Sequence, residues 1–390
     1  MSTTTSRPLA VVTGASSGIG RELAKQFAAN DFDLIIAAED ADVQSAAGEL
    51  EELGASVEAV QVDLSTDEGV DELHRRMKAA GRPVDAVALN AGVGAGGAFA
   101  GGTDIHDELR LVDLNVRSTV HLAKHVVRDM VQRGEGRILL TSSIASTMPG
   151  SFQAVYNASK SFVQSFALAL REELKDSGVT VTSLMPGPTE TEFFERAGMQ
   201  DTLVGAGPQD DPVDVARQGF EALMAGKERV VSASLMSRLQ GRASRLLPDR
   251  VKARAHRHMA EPGSAEHVER DLPQPIKATG HGVIDYGLVA LMAAGPALAG
   301  LDRRARAVSW GFAGIVGAIN ALTDHPVGLR RVIPLRIHGW LDLAAVPAFV
   351  GLPIATGAVA DRRARAAWAT ALALLGATYA LTDYEAPADS

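Results

Sequence analysis

The glycine-rich turn near the start of the chain constrains the fold more than any other stretch. An apolar run at 9–13 leads into TGASSGIG at 13–20, and an amphipathic pattern continues through Ala29. This order predicts a β-strand, a tight turn and an α-helix. Glycines in such a turn allow the backbone to approach a pyrophosphate, which binds at the positively charged end of the helix. Because the pattern occupies the first strand-to-helix turn, it predicts a dinucleotide-binding fold.

Strands and helices are predicted to alternate through residue 232. The predicted strands are 9–13, 33–38, 57–62, 84–89, 137–141, 179–185 and 229–232, and the predicted helices after the first are 67–80, 105–133, 154–176 and 211–225. Such alternation forms a parallel, doubly wound sheet covered by helices. The predicted fold class of this part is therefore α/β, of the Rossmann type.

Tyr156 and Lys160 stand four residues apart in a predicted helix, so they share one of its faces. A tyrosine ordinarily loses its proton at about pH 10, and a nearby cation lowers that pKa. Ser143, after the preceding strand, could hold the oxygen with which such a tyrosine exchanges a proton. This layout suits proton transfer to or from an alcohol or carbonyl oxygen. The same spacing is also common on solvated helices, so the interpretation depends on the rest of the chain.

Several motifs together resemble the short-chain dehydrogenase/reductase family in order and spacing. They are TGASSGIG at 13–20, LNAG at 89–92, Asn115, Ser143, Tyr156-x-x-x-Lys160 and Pro186-Gly187. The resemblance covers residues 1 to about 230. It implies an NAD(P)-dependent oxidoreductase that interconverts an alcohol and a carbonyl by hydride transfer.

The resemblance also implies roles for individual residues. Tyr156 would donate or accept the proton, Lys160 would lower its pKa and hold the nicotinamide ribose, and Ser143 would position the substrate oxygen. Asn115 would hold a water in the proton relay. The implied cofactor contacts are Gly14, Ser16, Ser17, Gly18, Ile19 and Gly20 at the phosphates, Asp63 and Leu64 at the adenine, Asn90, Ala91 and Gly92 at the adenosine ribose, and Tyr156, Lys160, Pro186, Gly187, Thr189 and Thr191 on the nicotinamide side. Leu89 departs from the family, which more often has an asparagine there.

Glu39 bears on the choice between NAD and NADP. It follows the second predicted strand, where a dinucleotide fold meets the adenosine ribose. A carboxylate there accepts hydrogen bonds from a 2′-hydroxyl and repels a 2′-phosphate, whereas NADP users of the family often carry arginine. NAD is therefore slightly favoured as the cofactor. The alternative is a solvated loop charge.

Composition excludes some classes of site and partner. The chain has no cysteine, so disulfides and thiolate metal sites are excluded. Its net charge of −9 argues against a nucleic-acid partner. The first residues lack the long apolar run of a signal peptide, so we expect the catalytic domain in the cytoplasm.

Residues 235–259 form a basic amphipathic segment. Arg238, Arg242, Arg245, Arg250, Lys252, Arg254 and Arg257 stand there against one acid, Asp249. Such a helix suits an anionic membrane surface, and the alternative is a helix packed on the enzyme. A polar, proline-containing linker follows at 261–275. The chain is thus predicted to have three parts. Residues 1–233 form the dinucleotide-binding catalytic domain, residues 234–276 form the basic helix and linker, and residues 277–385 form the four-helix domain.

The C-terminal region contains a duplicated helix hairpin. HGVID at 281–285 recurs as HGWLD at 338–342, and DRRAR at 302–306 recurs at 361–365, which marks an internal repeat. The apolar runs 283–301, 307–323, 337–360 and 366–382 each approach the roughly 20 residues that cross a bilayer. We predict an all-α, multi-pass transmembrane domain, and the alternative is a soluble four-helix bundle.

The repeat places two ionisable pairs, His281 with Asp285 and His338 with Asp342, each on one helix face. Ionisable groups in a membrane segment usually face the bundle interior. Hydrogen bonding between the repeats is the favoured interpretation, so no metal site is predicted. A metal or proton site is the alternative.

The two parts together predict the kind of substrate. An enzyme tethered to a membrane suits a lipophilic alcohol or carbonyl compound, with Phe193, Phe194 and Met199 as an apolar entrance. A homodimer through the helices at 105–133 and 154–176 is a further expectation. The alternative function is a membrane sensor or transporter-fused protein whose nucleotide-binding domain reports the cofactor state.

Overall fold

The computed structural model describes residues 7–232, 249–265 and 275–384. The chain divides into two compact units, of which the N-terminal unit ends at His267 and the C-terminal unit begins at Val268. Each unit forms its own elements and core, and they are therefore described separately.

The N-terminal unit is built on a seven-stranded parallel sheet. Its strands are β1 Leu9–Thr13, β2 Asp33–Ala38, β3 Val57–Gln61, β4 Ala86–Leu89, β5 Gly136–Thr141, β6 Val179–Pro186 and β7 Arg229–Ser232. They lie in the order β3-β2-β1-β4-β5-β6-β7, and every neighbouring pair is parallel. This confirms the predicted Rossmann-type sheet, whose order reverses beside β1 and opens a crevice at the strand ends.

Helices cover both faces of this sheet. They are α1 Gly18–Ala29, α2 Asp42–Glu52, α3 Asp67–Ala79, α4 Ile105–Val112, α5 Ser118–Arg133, α6 Ala154–Glu173, the short α7 Phe193–Arg196 and α8 Leu203–Ala206, α9 Pro212–Met224, and α10 Asp249–Ala260. One core cluster lies under α1, α2 and α9, where the Phe27 ring packs edge-on against Phe32 and Phe220 with centroids 5.1 Å from each. The other lies under α3, α5 and α6. Replacing Phe27 by alanine would cost about 3–5 kcal/mol.

The structure differs from the predicted helices in two places. The segment Asp42–Glu52, to which no element was assigned, forms α2. The predicted helix at 105–133 is two helices joined by a π-helical turn, Asp113–Arg117, which contains Asn115. Such turns are rare and occur frequently at functional sites.

The basic segment is described only from Asp249 onward, and residues 235–248 lie outside the described ranges, as does 266–274 of the predicted linker. The described part, α10, packs on the N-terminal unit. Ser151 Oγ donates to Ala253 O at 2.9 Å, and His256 Nδ1 lies 2.9 Å from Ser151 O. Its exposed side carries Arg254 and Arg257. This part of the segment therefore follows the alternative of a helix packed on the enzyme.

The C-terminal unit is all-helical, as predicted. Its helices are α11 Ala278–Leu298, α12 Arg303–Leu322, α13 Leu335–Ala355 and α14 Arg362–Leu381. The repeat recurs in detail, because Asp302 and Asp361 cap α12 and α14 by accepting from backbone N–H groups at 2.7–2.9 Å. Phe312, Phe349 and Trp368 form the aromatic centre of its core.

Two helices in the described part of this unit, α11 and α12, are long and apolar enough to cross a membrane. Their most apolar windows have a mean hydropathy of 1.3 and 1.2, and 33% of each window is buried. Length and composition alone are weak support for a span, since core helices of soluble proteins share them. The predicted four-helix, multi-pass membrane domain therefore stays a prediction, with weak support from α11 and α12.

Candidate active site

The loop between β1 and α1 has the form of a phosphate cradle. Gly14 has a φ of +66°, and a Cβ there would lie 2.9 Å from Ala91 Cα, so glycine is required. Among the described residues, the Ser17 side chain makes no capping hydrogen bond to α1, which leaves the first N–H groups of the helix available to an anion. Thr191 overlies the loop, because a Cβ at Gly18 would lie 3.0 Å from its Cγ2.

The remaining residues predicted for this loop support it from within. Ser16 Oγ donates to Asp40 Oδ2 at 2.9 Å, which ties the loop to the end of β2. Gly20 allows α1 to pass close to the loop, since a Cβ there would lie 1.9 Å from Gly14 O. Ile19 packs against the core. These three residues shape the cradle whether or not they touch a phosphate.

Residues predicted for the adenosine end lie at the ends of β2 and β3. The Glu39 carboxylate forms an ion pair with the guanidinium of Arg110 from α4. Asp63 Oδ1 accepts from both the N–H and the hydroxyl of Ser65, at 2.8 and 2.7 Å. Leu64 is 4% exposed and belongs to the core, so its side chain offers little surface to an adenine.

Asn90 joins three strands at the centre of the sheet. Its Nδ2 donates to Thr13 O at 3.2 Å, and its Oδ1 accepts from Thr141 Oγ1 at 3.0 Å. Thr13 Oγ1 in turn accepts from the N–H groups of Asn90 and Ala91. The loop after β4 is thereby fixed beside the glycine turn.

Tyr156 and Lys160 lie on one face of α6, buried at the end of β5. Lys160 Nζ lies 5.9 Å from the centroid of the Tyr156 ring and donates to Thr141 O at 3.1 Å. Ser142 Oγ donates to Lys160 O at 3.0 Å, which fixes α6 against the strand end. Ser143 Oγ accepts from Ala145 N–H at 3.1 Å and hydrogen-bonds toward Tyr156. The structure thus brings the three predicted residues together.

Burial controls the ionisation of this pair. It raises the pKa of Tyr156 to about 12, and the hydrogen bond with Ser143 only partly opposes the rise. Burial likewise lowers the pKa of Lys160 to about 8. Burial dominates the Tyr156 pKa in the free protein, and the lowering by Lys160 that the family resemblance implies does not contribute to it there. The Lys160 Nζ is engaged with Thr141 O instead.

Asn115 joins the same site through the π-helical turn. Its Oδ1 accepts from Val93 N–H and its Nδ2 donates to Val93 O, both at 2.9 Å, and Nδ2 also lies 3.1 Å from Ser159 Oγ. A Cβ at Gly92 would lie 3.0 Å from Asn115 Oδ1 and 3.2 Å from Lys160 Nζ. Gly92, Asn115 and Lys160 therefore meet at one point.

The segment after β6 borders the site and continues to Thr191 at the glycine loop. Pro186 O accepts from Ser143 Oγ at 3.4 Å, and Gly187 N–H donates to Ser232 O at 3.2 Å. Thr189 is 5% exposed and donates to Gly187 O at 2.9 Å. This backbone is held rigidly between β5 and β7.

Of the three residues predicted to form an apolar entrance, Phe193 alone packs against the Tyr156 ring among the described residues. The Phe193 ring lies 5.2 Å from the Tyr156 ring, centroid to centroid. Phe194 and Met199 are buried with Ala260 of α10, and Met199 has no exposed surface. They are core residues beneath the entrance.

The sequence analysis did not single out Ser159 or Arg110. Ser159 lies inside the Tyr156-x-x-x-Lys160 motif, and its place on the α6 face toward Asn115 could have been found from helical spacing. Arg110 reaches Glu39 across 71 positions of sequence, and no local pattern predicts that pairing.

Comparisons with known proteins agree with this geometry. A family model for the short chain dehydrogenase matches residues 8–201. An uncharacterised short-chain type dehydrogenase/reductase of Sinorhizobium fredii is 34% identical over 189 residues, covering 48% of this chain and 73% of the relative.

Two solved structures share this fold. A short-chain dehydrogenase from Sphingobium yanoikuyae in complex with NADPH is 28% identical with a TM-score of 0.55, covering 60% of this chain and 92% of its own. A short chain dehydrogenase/reductase from Burkholderia phymatum in complex with NAD is 25% identical with the same TM-score, covering 60% and 93%. In each of these matches at least two-fifths of the present chain is left uncovered.

Proposed function

The chain belongs to the short-chain dehydrogenase/reductase family and is an NAD(P)-dependent oxidoreductase, and on that premise we propose that it acts on a lipophilic alcohol or carbonyl compound at a membrane surface. Tyr156 would exchange the proton with the substrate, and the substrate would reach the enzyme from the membrane.

The residues present fit a dinucleotide. Gly14 and Gly18, both at positive φ, open the backbone between β1 and α1, and the start of α1 offers N–H groups to phosphates. Lys160 is a buried cation beside Gly92, with its ammonium group turned to a backbone carbonyl. Such a group is available to ribose hydroxyls. When bound, the nicotinamide supplies or accepts the hydride.

The chain's own residues carry the proton. The raised pKa keeps the Tyr156 phenol protonated at neutral pH in the free protein, which suits donation to a carbonyl oxygen that becomes an alcohol. Ser143 lies within hydrogen-bonding reach of that phenol and would hold the same oxygen. In the oxidation direction, Tyr156 would accept the alcohol proton.

Lys160 and Asn115 would complete the proton path. Lys160 below its pKa of about 8 is a cation, which would stabilise the phenolate that forms after proton donation. Asn115 fixes the loop after β4 through Val93 and lies beside Lys160. We assign it a positioning role for water between the lysine and solvent.

The membrane part of the proposal is carried by exposed apolar surface on the C-terminal unit. Large apolar side chains on its helices that are 44–87% exposed are Val283, Leu291, Leu298, Trp310, Ile315, Ile337, Leu352, Ile354 and Leu374. They occur on all four helices. Soluble monomers rarely expose contiguous apolar patches of more than a few hundred Å², and lipid would cover such side chains.

A second, smaller apolar surface supports the expected homodimer. Ile105 and Leu109 of α4 are 57% and 54% exposed, and Phe162 of α6 is 42% exposed. These helices are the ones predicted to pair with a second copy. We retain the homodimer as a proposal.

Cell fractionation and truncation test the proposed location and substrate. The full chain should sediment with membranes. A chain truncated after His267 keeps Gly263 and Ala265, which hydrogen-bond to Asp201, and it should stay in solution. Both proteins should reduce a small soluble ketone within about twofold of each other, because every residue placed around Tyr156 precedes the cut. On a long-chain ketone in liposomes, the full chain should be at least tenfold more efficient, since tethering raises the local concentration of substrate.

Two results would contradict the proposed membrane location. One is a full chain that remains in the supernatant after membranes are pelleted, and the other is a truncated chain that reduces the liposomal ketone as efficiently as the full chain. Failure of both proteins on every carbonyl tried, with cofactor binding intact, would instead contradict the assigned chemistry.

A further inference from the structure

Four buried ionisable side chains converge in the C-terminal unit, and we call them the His–Asp cluster. They are His281 and Asp285 of α11, and His338 and Asp342 of α13. Their exposed fractions are 0%, 1%, 0% and 7%. Each repeat contributes one histidine and, four residues later, one aspartate. No part of the proposed oxidoreductase reaction uses them.

The four side chains point their polar atoms at a common centre. Asp285 Oδ2 lies 3.4 Å from His281 Nε2 and 3.1 Å from His338 Nε2. Asp342 Oδ2 lies 3.6 and 3.3 Å from the same two nitrogens. The four ligand atoms all lie within 4.8 Å of one another.

The contacts are close enough for hydrogen bonds, but their geometry is not that of well-aligned ones. Within the described part of the chain, Nε2 of His281, Nε2 of His338 and Oδ2 of Asp285 are buried without a hydrogen-bond partner. Buried polar atoms are nearly always satisfied. Hydrogen bonding between the repeats, the interpretation favoured from sequence, is present at Nδ1 of both histidines, whereas their inward Nε2 atoms have no well-aligned partner among the described residues.

The opposite edges of the two imidazoles show which nitrogen carries hydrogen. His281 Nδ1 lies 2.9 Å from Thr382 Oγ1, and His338 Nδ1 lies 2.5 Å from Thr323 Oγ1. Both threonine hydroxyls donate to the backbone carbonyl four residues earlier. They must then accept from Nδ1–H, so Nε2 of each neutral imidazole presents a lone pair to the centre.

Two nitrogen lone pairs and two carboxylates facing one centre repel one another unless a cation lies between them or the imidazoles take up protons. We propose that the His–Asp cluster binds one divalent transition-metal ion, with zinc the best match. Zinc takes His nitrogen and Asp oxygen at about 2.0–2.2 Å in a tetrahedron. Adjacent ligand atoms of such a tetrahedron stand about 3.3–3.5 Å apart, and the four N–O distances here are 3.1–3.6 Å.

The arrangement around the cluster matches a structural metal centre. A ligating histidine usually donates its other ring N–H to an oxygen that fixes its tautomer, as Thr323 and Thr382 do. The threonine after α12 holds the histidine of α13, and the threonine after α14 holds the histidine of α11. Four protein ligands leave no open coordination position, which distinguishes structural from catalytic zinc sites. The ion would join the two repeats.

Metal content is the first test. The full chain, purified in detergent without a polyhistidine tag or chelator, should contain about one zinc or other transition-metal ion per molecule by elemental analysis. After removal of the ion with a chelator, titration with Co²⁺ should give the intense visible absorption of a tetrahedral cobalt site. The three tryptophans, at 310, 340 and 368, all lie in the C-terminal unit. Its tryptophan-reported melting temperature should therefore fall on chelation and recover with Zn²⁺.

Two classes of variant separate ligation from folding. Asp285→Asn and His338→Gln should lower the bound metal at least tenfold. Thr323→Val and Thr382→Val keep all four ligands, and each should weaken Zn²⁺ affinity by roughly 10–100-fold. Exposed His258 on α10 is the matched control, and His258→Gln should retain the wild-type metal content. If the ligand variants fail to fold, the threonine variants still decide the question.

The proposal is overturned if the full chain contains no stoichiometric metal and the chelated protein binds neither Zn²⁺ nor Co²⁺. The cluster would then be a buried quartet of two imidazolium and two carboxylate groups. An unchanged Zn²⁺ affinity in both threonine variants would equally contradict the assigned site.

Discussion

Two buried polar clusters in the described parts of the molecule satisfy their ionisable groups in opposite ways. Around Tyr156 the polar groups bond to the backbone: Lys160 Nζ to Thr141 O, and the Asn115 amide to Val93. In the His–Asp cluster the inward atoms of His281 and His338 have no hydrogen-bond partner among the described residues. The first arrangement is satisfied by the protein itself, whereas the second brings imidazole nitrogens and carboxylate oxygens together at one centre.

This difference indicates what each site is built to bind. Lys160 and Tyr156 can exchange their present bonds for those of a ligand that arrives and leaves. The His–Asp cluster is buried and its four candidate ligand atoms all lie within 4.8 Å of one another, which suits an ion that remains. Buried polar groups are expensive, so both arrangements are expected to carry a function.

Tyr156→Phe should give the largest effect. Phenylalanine keeps the ring against Phe193 but removes the hydroxyl that exchanges the proton, and general acid–base catalysis contributes about 10²–10⁴-fold. We expect kcat to fall within that range while the dissociation constant for NAD(P)H stays within about threefold. The measurement is NAD(P)H absorbance with a soluble ketone, together with fluorescence titration of the cofactor. If the variant turns over within a factor of five of the wild type, Tyr156 is not the residue that exchanges the proton.

Lys160→Met should lower activity while stabilising the N-terminal unit. Burial holds the Lys160 pKa near 8, below its unfolded value, so the unfolded chain binds the proton more tightly. Below pH 8 the buried, charged lysine therefore destabilises the folded state. This destabilisation decreases as the pH rises toward about 10.5. Removing the ammonium group should raise the free energy of unfolding by roughly 1–3 kcal/mol at pH 7. This range allows about 1 kcal/mol for the lost hydrogen bond to Thr141 O. We expect kcat/KM to fall about 100-fold.

Calorimetry of the chain truncated after His267, at pH 7 and pH 10, measures this gain in stability. The gain should shrink at pH 10, where the wild-type lysine is neutral in the folded state. In the full chain the tryptophan-reported transition of the C-terminal unit should not move. If Lys160→Met is instead less stable than the wild type at pH 7, the contacts of Lys160 stabilise the fold by more than the desolvation of its charge destabilises it.

Much of the fold could be predicted from sequence because its signals are local. β1, β2 and β7 occur at the predicted residues, since each is a short apolar or β-branched run ended by a turn. The helix α2 was missed although Val43, Ala46, Ala47 and Leu50 lie on its buried face, because its small alanines give a weak pattern. The π-helical turn at Asn115 has no local signal. It accompanies long-range bonds to Val93 and Ser159.

The proximity of Ser143, Tyr156 and Lys160 could be predicted from sequence, but their electrostatics could not. Spacing placed Tyr156 and Lys160 on one face, yet Lys160 donates to Thr141 O and burial raises the tyrosine pKa. Desolvation depends on the whole packed unit, which no motif contains. Likewise the repeat predicted the histidine–aspartate pairs, whereas the direction of each imidazole follows from the threonine at the end of a distant helix.

The smallest expected effect concerns the cofactor end of the N-terminal site, where charge is solvated and not buried. Glu39 and Arg110 form an ion pair with side chains that are 52% and 44% exposed, so the field they exert on a ligand is screened. Glu39→Arg removes the carboxylate and frees the guanidinium of Arg110, which would together favour a 2′-phosphate. We expect the ratio of kcat/KM for NADP(H) over NAD(H) to rise about tenfold, or about 1.4 kcal/mol. Glu173→Arg, the same charge change at the exposed end of α6, should leave the ratio unchanged. A wild-type protein that already prefers NADP(H) strongly would instead mean that Arg110 dominates this end of the site and that Glu39 serves only to neutralise it.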